Sequence, residues 1–285
     1  MEPWFILCLL GYTISAVSST LDKYMMNQMY HPVTTVLFRT LFNAMFLGTA
    51  GLILFHMTLS PLELALAFVP AVLLIISYAV YLRVLQRRNA TEIQPFSQSM
   101  DVLFIFLASI LFLHEPAENI NYLGLLVIVI GIYLVVTEHI TKLPRLDRNL
   151  LIIAALVPID VAYALVVKTY LGSTEPIGLA VSIYLMSAVL IAIITVLWRK
   201  KMNITLSGVK PQLRPVLASS LFAATSAAFF YTALAQADAS KVYPMAGISC
   251  VVVFLLASFF LKEKFRWHRL IGTIIVIAGI YLISL

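Results

Sequence analysis

Residues 95–136 and 244–285 are two versions of one pattern. The first reads PFSQSMDVLFIFLASILFLHEPAENINYLGLLVIVIGIYLVV and the second PMAGISCVVVFLLASFFLKEKFRWHRLIGTIIVIAGIYLISL. Each opens on a proline (Pro95, Pro244) and carries Ala-Ser near its centre (Ala108 and Ser109, Ala257 and Ser258). Each then passes through a short segment holding a glutamate (Glu115, Glu263) and reaches Gly-Ile-Tyr-Leu (Gly131 to Leu134, Gly279 to Leu282). Shared hydrophobicity alone would not keep so many landmarks in register. The chain is therefore read as two copies of one unit, and repetition of this kind constrains the architecture before any local feature does.

The copies are too apolar for a soluble domain. Of 285 residues, 62% are apolar and 11% charged, where a soluble domain carries about 25% charged residues. Continuous apolar runs near 20 residues match a hydrocarbon core about 30 Å thick. Ten such runs are expected at 3–22, 33–56, 64–82, 92–113, 121–138, 149–170, 177–198, 214–236, 240–262 and 268–285. They leave only short connections, the longest at 138–149 and 199–213, with Pro144 marking the joint between the copies. A strand-built barrel would show runs of about ten residues with alternating polarity, which these runs lack. Met1-Glu2-Pro3-Trp4 is acidic where a signal peptide is basic, so the first run is read as a retained span. Cys8 and Cys250 lie inside apolar runs and offer neither a disulfide framework nor metal-ligand spacing.

The net charge of +6 reflects loop placement rather than nucleic-acid binding. Lys23 follows the first run; Arg83, Arg87 and Arg88 the third; Lys142, Arg145 and Arg148 the fifth. Arg199, Lys200, Lys201, Lys210 and Arg214 follow the seventh, and Lys262, Lys264, Arg266 and Arg269 the ninth. That puts 16 of the 19 basic residues on one side, leaving Lys168 and Lys241 opposite and Arg39 within the second run. The positive-inside rule predicts odd-to-even loops in the cytoplasm and both termini outside. Five spans per copy, an odd number, insert the second copy upside down. The expected fold is an all-α membrane protein with ten transmembrane helices in two inverted five-helix repeats, residues 1–140 and 146–285, a common build for secondary transporters.

The duplicated layout, Leu21-Asp22-Lys23-Tyr24, Phe38-Arg39 and the Pro…Ala-Ser…Glu…Gly-Ile-Tyr pattern of both halves together resemble the EamA family of the drug/metabolite transporter (DMT) superfamily over essentially the whole chain. The resemblance implies export or exchange of small metabolites, often amino acids or drug-like compounds, without ATP. Many members of that family are thought to keep both termini in the cytoplasm; the charges here predict the reverse.

Ionisable groups inside the membrane mark function by default, because burying a charge in hydrocarbon is costly. Asp101 falls near the middle of the fourth run, and Gln94, Gln98 and Asp101 at i, i+4 and i+7 share a helix face. The second copy has Tyr243, Gly247 and Cys250 in their place, an asymmetry that suits a substrate with distinct ends. Asp160 falls near the middle of the sixth run, just after Pro158. The two aspartates come from different halves at similar depth and are expected to form a midplane site that carries a proton or pairs with a substrate ammonium. The competing account makes each a structural hydrogen-bonding group.

Tyr78 and Tyr81 on the third run, with Tyr231 on the eighth, are expected to line a cavity or to pack helices. Arg39 shares a face with Asn43 and lies close enough to the basic surface to snorkel, to pair a charge or to contact substrate. Lys23 and Lys168 end the first helix of each copy, where a helix C-terminus favours a cation and a gate is conceivable. Gly124 with Gly131, and Gly272 with Gly279, place small residues along one face of peripheral packing helices.

No phosphate-binding loop of the form Gly-x-x-x-x-Gly-Lys occurs, and the histidines at 31, 56, 114, 139 and 268 lie in loops or at span ends, so no cofactor, metal or enzymatic activity is expected. The glycosylation-type triplets at Asn89 and Asn203 fall on the expected cytoplasmic side and are read as chance. The expected activity is secondary transport, by export or exchange, of an amino acid or amine-like metabolite across the cell membrane, with a proton as the coupling partner, lipid as the surroundings and a monomer or homodimer as the working unit. The alternatives are an anion exchanger for sugar phosphates or nucleotide sugars, a lipid-linked sugar flippase, and a scaffold or intramembrane enzyme.

Overall fold

The computed structural model describes residues 2–54, 57, 59–136, 147–198, 209–263 and 267–284. Among these the chain is helical, with no strand. In order the helices are α1 (Pro3–Asn27), α2 (Pro32–Leu54), α3 (Pro61–Leu66), α4 (Phe68–Leu85), α5 (Ala90–Phe112), α6 (Asn119–Val136), α7 (Arg148–Leu171), α8 (Pro176–Trp198), α9 (Val209–Gln236), α10 (Ala239–Val242), α11 (Gly247–Phe260) and α12 (Trp267–Ser284). Among the described residues, eight helical stretches are long and apolar enough to cross a membrane, and Asn119–Leu134 and Trp267–Gly279 are shorter apolar helices.

Two expected spans are divided. The third breaks at Ala67 into α3 and α4. α3 starts at a capping box in which Ser60 Oγ accepts from the Glu63 N–H and the Glu63 carboxylate accepts from the Ser60 N–H, each at 3.1 Å. The ninth passes through a 3₁₀ turn, Tyr243–Ala246, between α10 and α11. Pro244 lacks an amide hydrogen, and Gly247 adds a residue of poor helix propensity one turn on. Irregular backbone at membrane depth is tolerated where it lines a cavity or is covered by protein, and Pro244, Met245 and Ala246 are buried.

The halves are tied together by matching contacts. α6 and α12 pack most extensively on each other. A Cβ on Gly131 would lie 2.7 Å from the Val276 nitrogen and 2.9 Å from the Gly272 oxygen; one on Gly279 would lie 2.7 Å from the Gly124 oxygen and 2.8 Å from the Ile128 nitrogen. The four glycines are what lets these backbones touch.

A second matched set holds the turns between α4 and α5 and between α9 and α10. Lys23 Nζ, from α1, donates to the carbonyls of Leu85 and Arg88 at 2.8 and 2.6 Å. Lys168 Nζ, from α7, donates to those of Leu234 and Ala237 at 2.9 and 2.8 Å. The two lysines satisfy the last carbonyls of a neighbouring helix, not of their own. The repeated glutamates complete the arrangement. Glu263 accepts from the Ala90 and Thr91 N–H groups at 2.8 and 3.0 Å, capping α5. Glu115 accepts from those of Ala239 and Ser240, both at 2.8 Å, capping α10. α5 begins beside Glu263 and ends just before Glu115, so the two clamps stand at opposite ends of that helix.

The residue before each glutamate, His114 (φ 55°) and Lys262 (φ 54°), is left-handed, which turns the chain out of α5 and α11 toward the cap. The second half starts at Asp147, which N-caps α7 through the Leu150 N–H and pairs with Arg88. Partial desolvation alone would raise the Asp147 carboxyl; the Leu150 N–H and Arg88 overcome it and hold it below the usual carboxylate range. The expected joint at Pro144, the basic residues Lys142, Arg145, Arg199, Lys200, Lys201, Lys264 and Arg266, and the triplet at Asn203 lie outside the described residues.

Candidate functional site

Polar side chains at the centre of the bundle surround a cavity of about 330 Å³. α1 contributes Asp22, α2 Arg39 and Asn43, α4 Ser77, Tyr78 and Tyr81, and α5 Gln94, Gln98 and Asp101. α7 adds Asp160 and Tyr163, and α8 adds Tyr184, so both halves form the wall.

The strongest local feature is a buried ion pair between Arg39 and Asp22. Arg39 is 8% exposed and Asp22 2%, so the guanidinium does not extend to the basic surface. Removing two charges from water is tolerable only where hydrogen bonds occupy the remaining donors and acceptors, and several do so here. Arg39 donates to Ser219 Oγ at 2.9 Å and Ser18 Oγ at 2.6 Å. Asp22 accepts from the Tyr78 hydroxyl and from Ser219 Oγ, both at 2.8 Å. The guanidinium carbon also stands 4.9 Å from the Tyr78 ring centroid, within cation–π range. The network joins α1, α2 and α4 of the first half to α9 of the second.

Asp101 and Asp160 line the same cavity. Ser97 Oγ lies 3.4 Å from Asp101 Oδ2, while Oδ1 is buried with no hydrogen-bond partner among the described residues. Asp160 lies beside Ser77. Tyr81 donates to the Gln94 side-chain oxygen. Gln98 reaches the second copy, its side-chain oxygen accepting from Ser249 Oγ at 2.7 Å and Cys250 Sγ at 3.0 Å. The face expected from Gln94, Gln98 and Asp101 thus meets, across the bundle, the segment that replaces it in the second half.

The structure brings Gln94, Gln98, Asp101, Asp160, Tyr78, Tyr81 and Arg39 onto one cavity. Tyr231 and Tyr243 do not line it. Tyr231 is 2% exposed, shares a hydrogen bond with the Tyr163 hydroxyl and borders an adjoining cavity of about 230 Å³. Tyr243 borders another of about 250 Å³. Lys23 and Lys168 hold helix-end carbonyls and line none of these three cavities.

Sequence reasoning missed Asp22, Ser18, Ser219 and Tyr184 as parts of the central site and its support. A signal for the first two existed, since Ser18 and Asp22 stand at i and i+4 on α1. Ser219 sits in a run of small residues on α9 and carries no such signal.

The sequence profile of the EamA-like transporter family matches residues 2–137 and again residues 149–285. No curated relative matches the chain. A solved crystal structure superposes with a TM-score of 0.67 at 16% identity, covering 97% of this chain and 95% of the other, a likeness of fold. Two consecutive matches, one on each copy of the repeat, span nearly the entire sequence, and apolar helices crossing a polar centre are what such a protein needs; the chain belongs to the EamA-like transporter family, membrane transporters of the DMT type.

Proposed function

We propose that the protein is a ten-span secondary transporter that exports or exchanges a small amine-bearing metabolite, such as an amino acid, by alternating access around the central cavity. The observation that carries this reading is the charge of the wall. Among the described residues lining it, Asp22, Asp101 and Asp160 face one guanidinium, Arg39, already neutralised by Asp22. In their ionised form the surplus carboxylates attract a cation. A carrier of sugar phosphates would need free cationic groups there, and Lys23 and Lys168 are engaged elsewhere.

Asp101 and Asp160 are the candidate proton carriers and ammonium acceptors, with Gln94, Gln98, Tyr78 and Tyr81 orienting the substrate. The two helix-end clamps at opposite ends of α5 support an inverted relation between the halves. In that arrangement one bundle rocks against the other about a midplane site. The charge bias of the loops supports a multi-pass protein of the cell membrane with both termini outside.

Reconstitution into liposomes tests the function. Uptake of amino acids and amines is expected, accelerated by a pH gradient. Asp101→Asn is expected to lower the rate at least about tenfold and to flatten its pH dependence, a loss equivalent to about 1.4 kcal/mol. Uptake confined to phosphate esters and indifferent to Asp101 would overturn the reading.

A further inference from the structure

Tyr12 on α1, Asp101 on α5 and Tyr243 in the 3₁₀ turn line a cavity of about 250 Å³ beside the central one. The hydroxyl oxygens of Tyr12 and Tyr243 and Oδ1 of Asp101 are buried, and none has a hydrogen-bond partner among the described residues. Leaving a buried polar group unpaired is costly, and such groups are few in a native structure. The other polar side chains of this wall are engaged. Gln98 accepts from Ser249 and Cys250 through its side-chain oxygen, the Tyr163 hydroxyl shares a hydrogen bond with Tyr231, and Asp160 lies beside Ser77. Phe230 packs edge-to-face with both open tyrosines, at centroid distances of 5.9 Å from Tyr12 and 5.4 Å from Tyr243, which holds their rings at the cavity.

What the three atoms share is the capacity to accept. A carboxylate oxygen accepts only, and a phenol oxygen accepts as well as donates. A water molecule brings two donors and no charge, so it leaves one of the three unpaired and Asp101 without a counter-ion. A carboxylate ligand brings no donor and repels Asp101. A primary ammonium brings three N–H donors and a positive charge. Each N-alkylation removes one donor, and a quaternary ammonium has none. Val102, Ile105 and Ala246 complete the wall without supplying another acceptor side chain. The fourth bond of the nitrogen is left for the rest of the substrate. The central cavity is adjacent, since the two share Gln98, Asp101, Asp160 and Tyr163.

We propose that Tyr12, Tyr243 and Asp101 receive the unsubstituted, primary ammonium group of the substrate, and that they make the transporter select primary amines over N-alkylated ones. The proposal rests on the amine reading of the function and deepens it, placing the positive end of the substrate in this side cavity. It also gives the divergence of the two copies a use. Gln94 holds the position of Tyr243 in the first copy, and its side-chain oxygen is already taken by the Tyr81 hydroxyl. The second copy offers in its place a hydroxyl that is still open.

The test is direct binding to the full-length purified protein in lipid nanodiscs, by titration calorimetry, with methylammonium, dimethylammonium, trimethylammonium and tetramethylammonium as probes of equal charge. Methylammonium is expected to bind tightest, and replacing one N–H, in dimethylammonium, to weaken binding about tenfold. Tyr12→Phe and Tyr243→Phe keep the ring and remove one acceptor each. Either is expected to weaken methylammonium about tenfold while leaving dimethylammonium nearly unchanged, which closes the gap between them. A merely structural tyrosine would not move that ratio. Should one variant fail to fold, the other carries the expectation; should both fail, the order of the four ions on the unaltered protein decides. Dimethylammonium binding as tightly as methylammonium, a gap that survives both substitutions, or no binding by any of the four would overturn the ammonium site. Asp101-dependent uptake of amines into liposomes alongside such a result would leave the general amine reading standing. Uptake confined to phosphate esters would remove both.

Discussion

α5 and the α10–α11 stretch descend from the same position in the two copies, and they have diverged at the centre of the bundle. Both carry a proline at the corresponding point. In α5 the helix runs unbroken from Ala90 to Phe112 through Pro95. In the second copy the path loosens into a 3₁₀ turn at Tyr243–Ala246 before α11 resumes. α5 presents Gln94, Gln98 and Asp101, while its counterpart presents Tyr243, Gly247 and Cys250, and the two segments touch where Gln98 receives Ser249 and Cys250. At their ends the segments remain alike. The left-handed residue, the glutamate cap and the lysine clamp recur with nearly equal distances. Selection for a packed membrane bundle acts on helix ends and crossing points in both copies alike. The middle, which faces the cavity, was free to acquire a different chemistry in each.

Variants can separate what the copies share from what they do not. The largest effect is expected where they differ most. The Asp22–Arg39 pair belongs to the first copy alone, since Val167 stands before Lys168 where Asp22 stands before Lys23. Arg39→Ala leaves a buried carboxylate uncompensated and should cost about 3–5 kcal/mol, read as a lowered unfolding midpoint in detergent. Asp22→Asn combined with Arg39→Gln should lose less than Arg39→Ala alone; an equal or greater loss would show that the charges are not coupled.

The glycine crossing tests likeness. Gly131→Ala and Gly279→Ala each force a Cβ against facing backbone, and each should cost about 1–3 kcal/mol. Unequal losses would break the symmetry of α6 and α12. The helix-end clamps come next. Glu115→Gln and Glu263→Gln keep the shape but set an amide NH2 against one of the two backbone N–H groups each carboxylate caps, and should cost about 1–2 kcal/mol each, with Glu263, which also accepts from Thr91 Oγ, at the upper end. The smallest effect has the opposite sign. His114→Gly and Lys262→Gly relieve a left-handed backbone and should stabilise by up to about 1 kcal/mol, seen as a small rise in Tm.

Much of the frame was legible because hydrophobic runs and landmark residues report directly on membrane helices. The face of Gln94, Gln98 and Asp101 was legible from helical spacing, and Asp160 from its depth in a span. The division of the third and ninth spans was not, because a proline in a membrane helix is compatible with continuity, as Pro95 shows, or with a break, as Pro244 shows. The separate places of Tyr231 and Tyr243 were equally hidden, since nothing in their spacing distinguishes one cavity from its neighbour. Lys23 and Lys168 were expected at a helix C-terminus, but whose terminus depended on which helices sit side by side.

By itself the sequence determined the apolar helical frame, the duplication and the family, because those follow from composition and period along the chain. Only the tertiary structure decided that Arg39 turns inward to Asp22, that Ser219 from the other half completes their network, and that Tyr12, Tyr163, Phe230 and Tyr243 from four different elements line one cavity. These depend on approach between residues distant in the chain, and the energy of a buried charge or ring is set by whatever packing brings beside it.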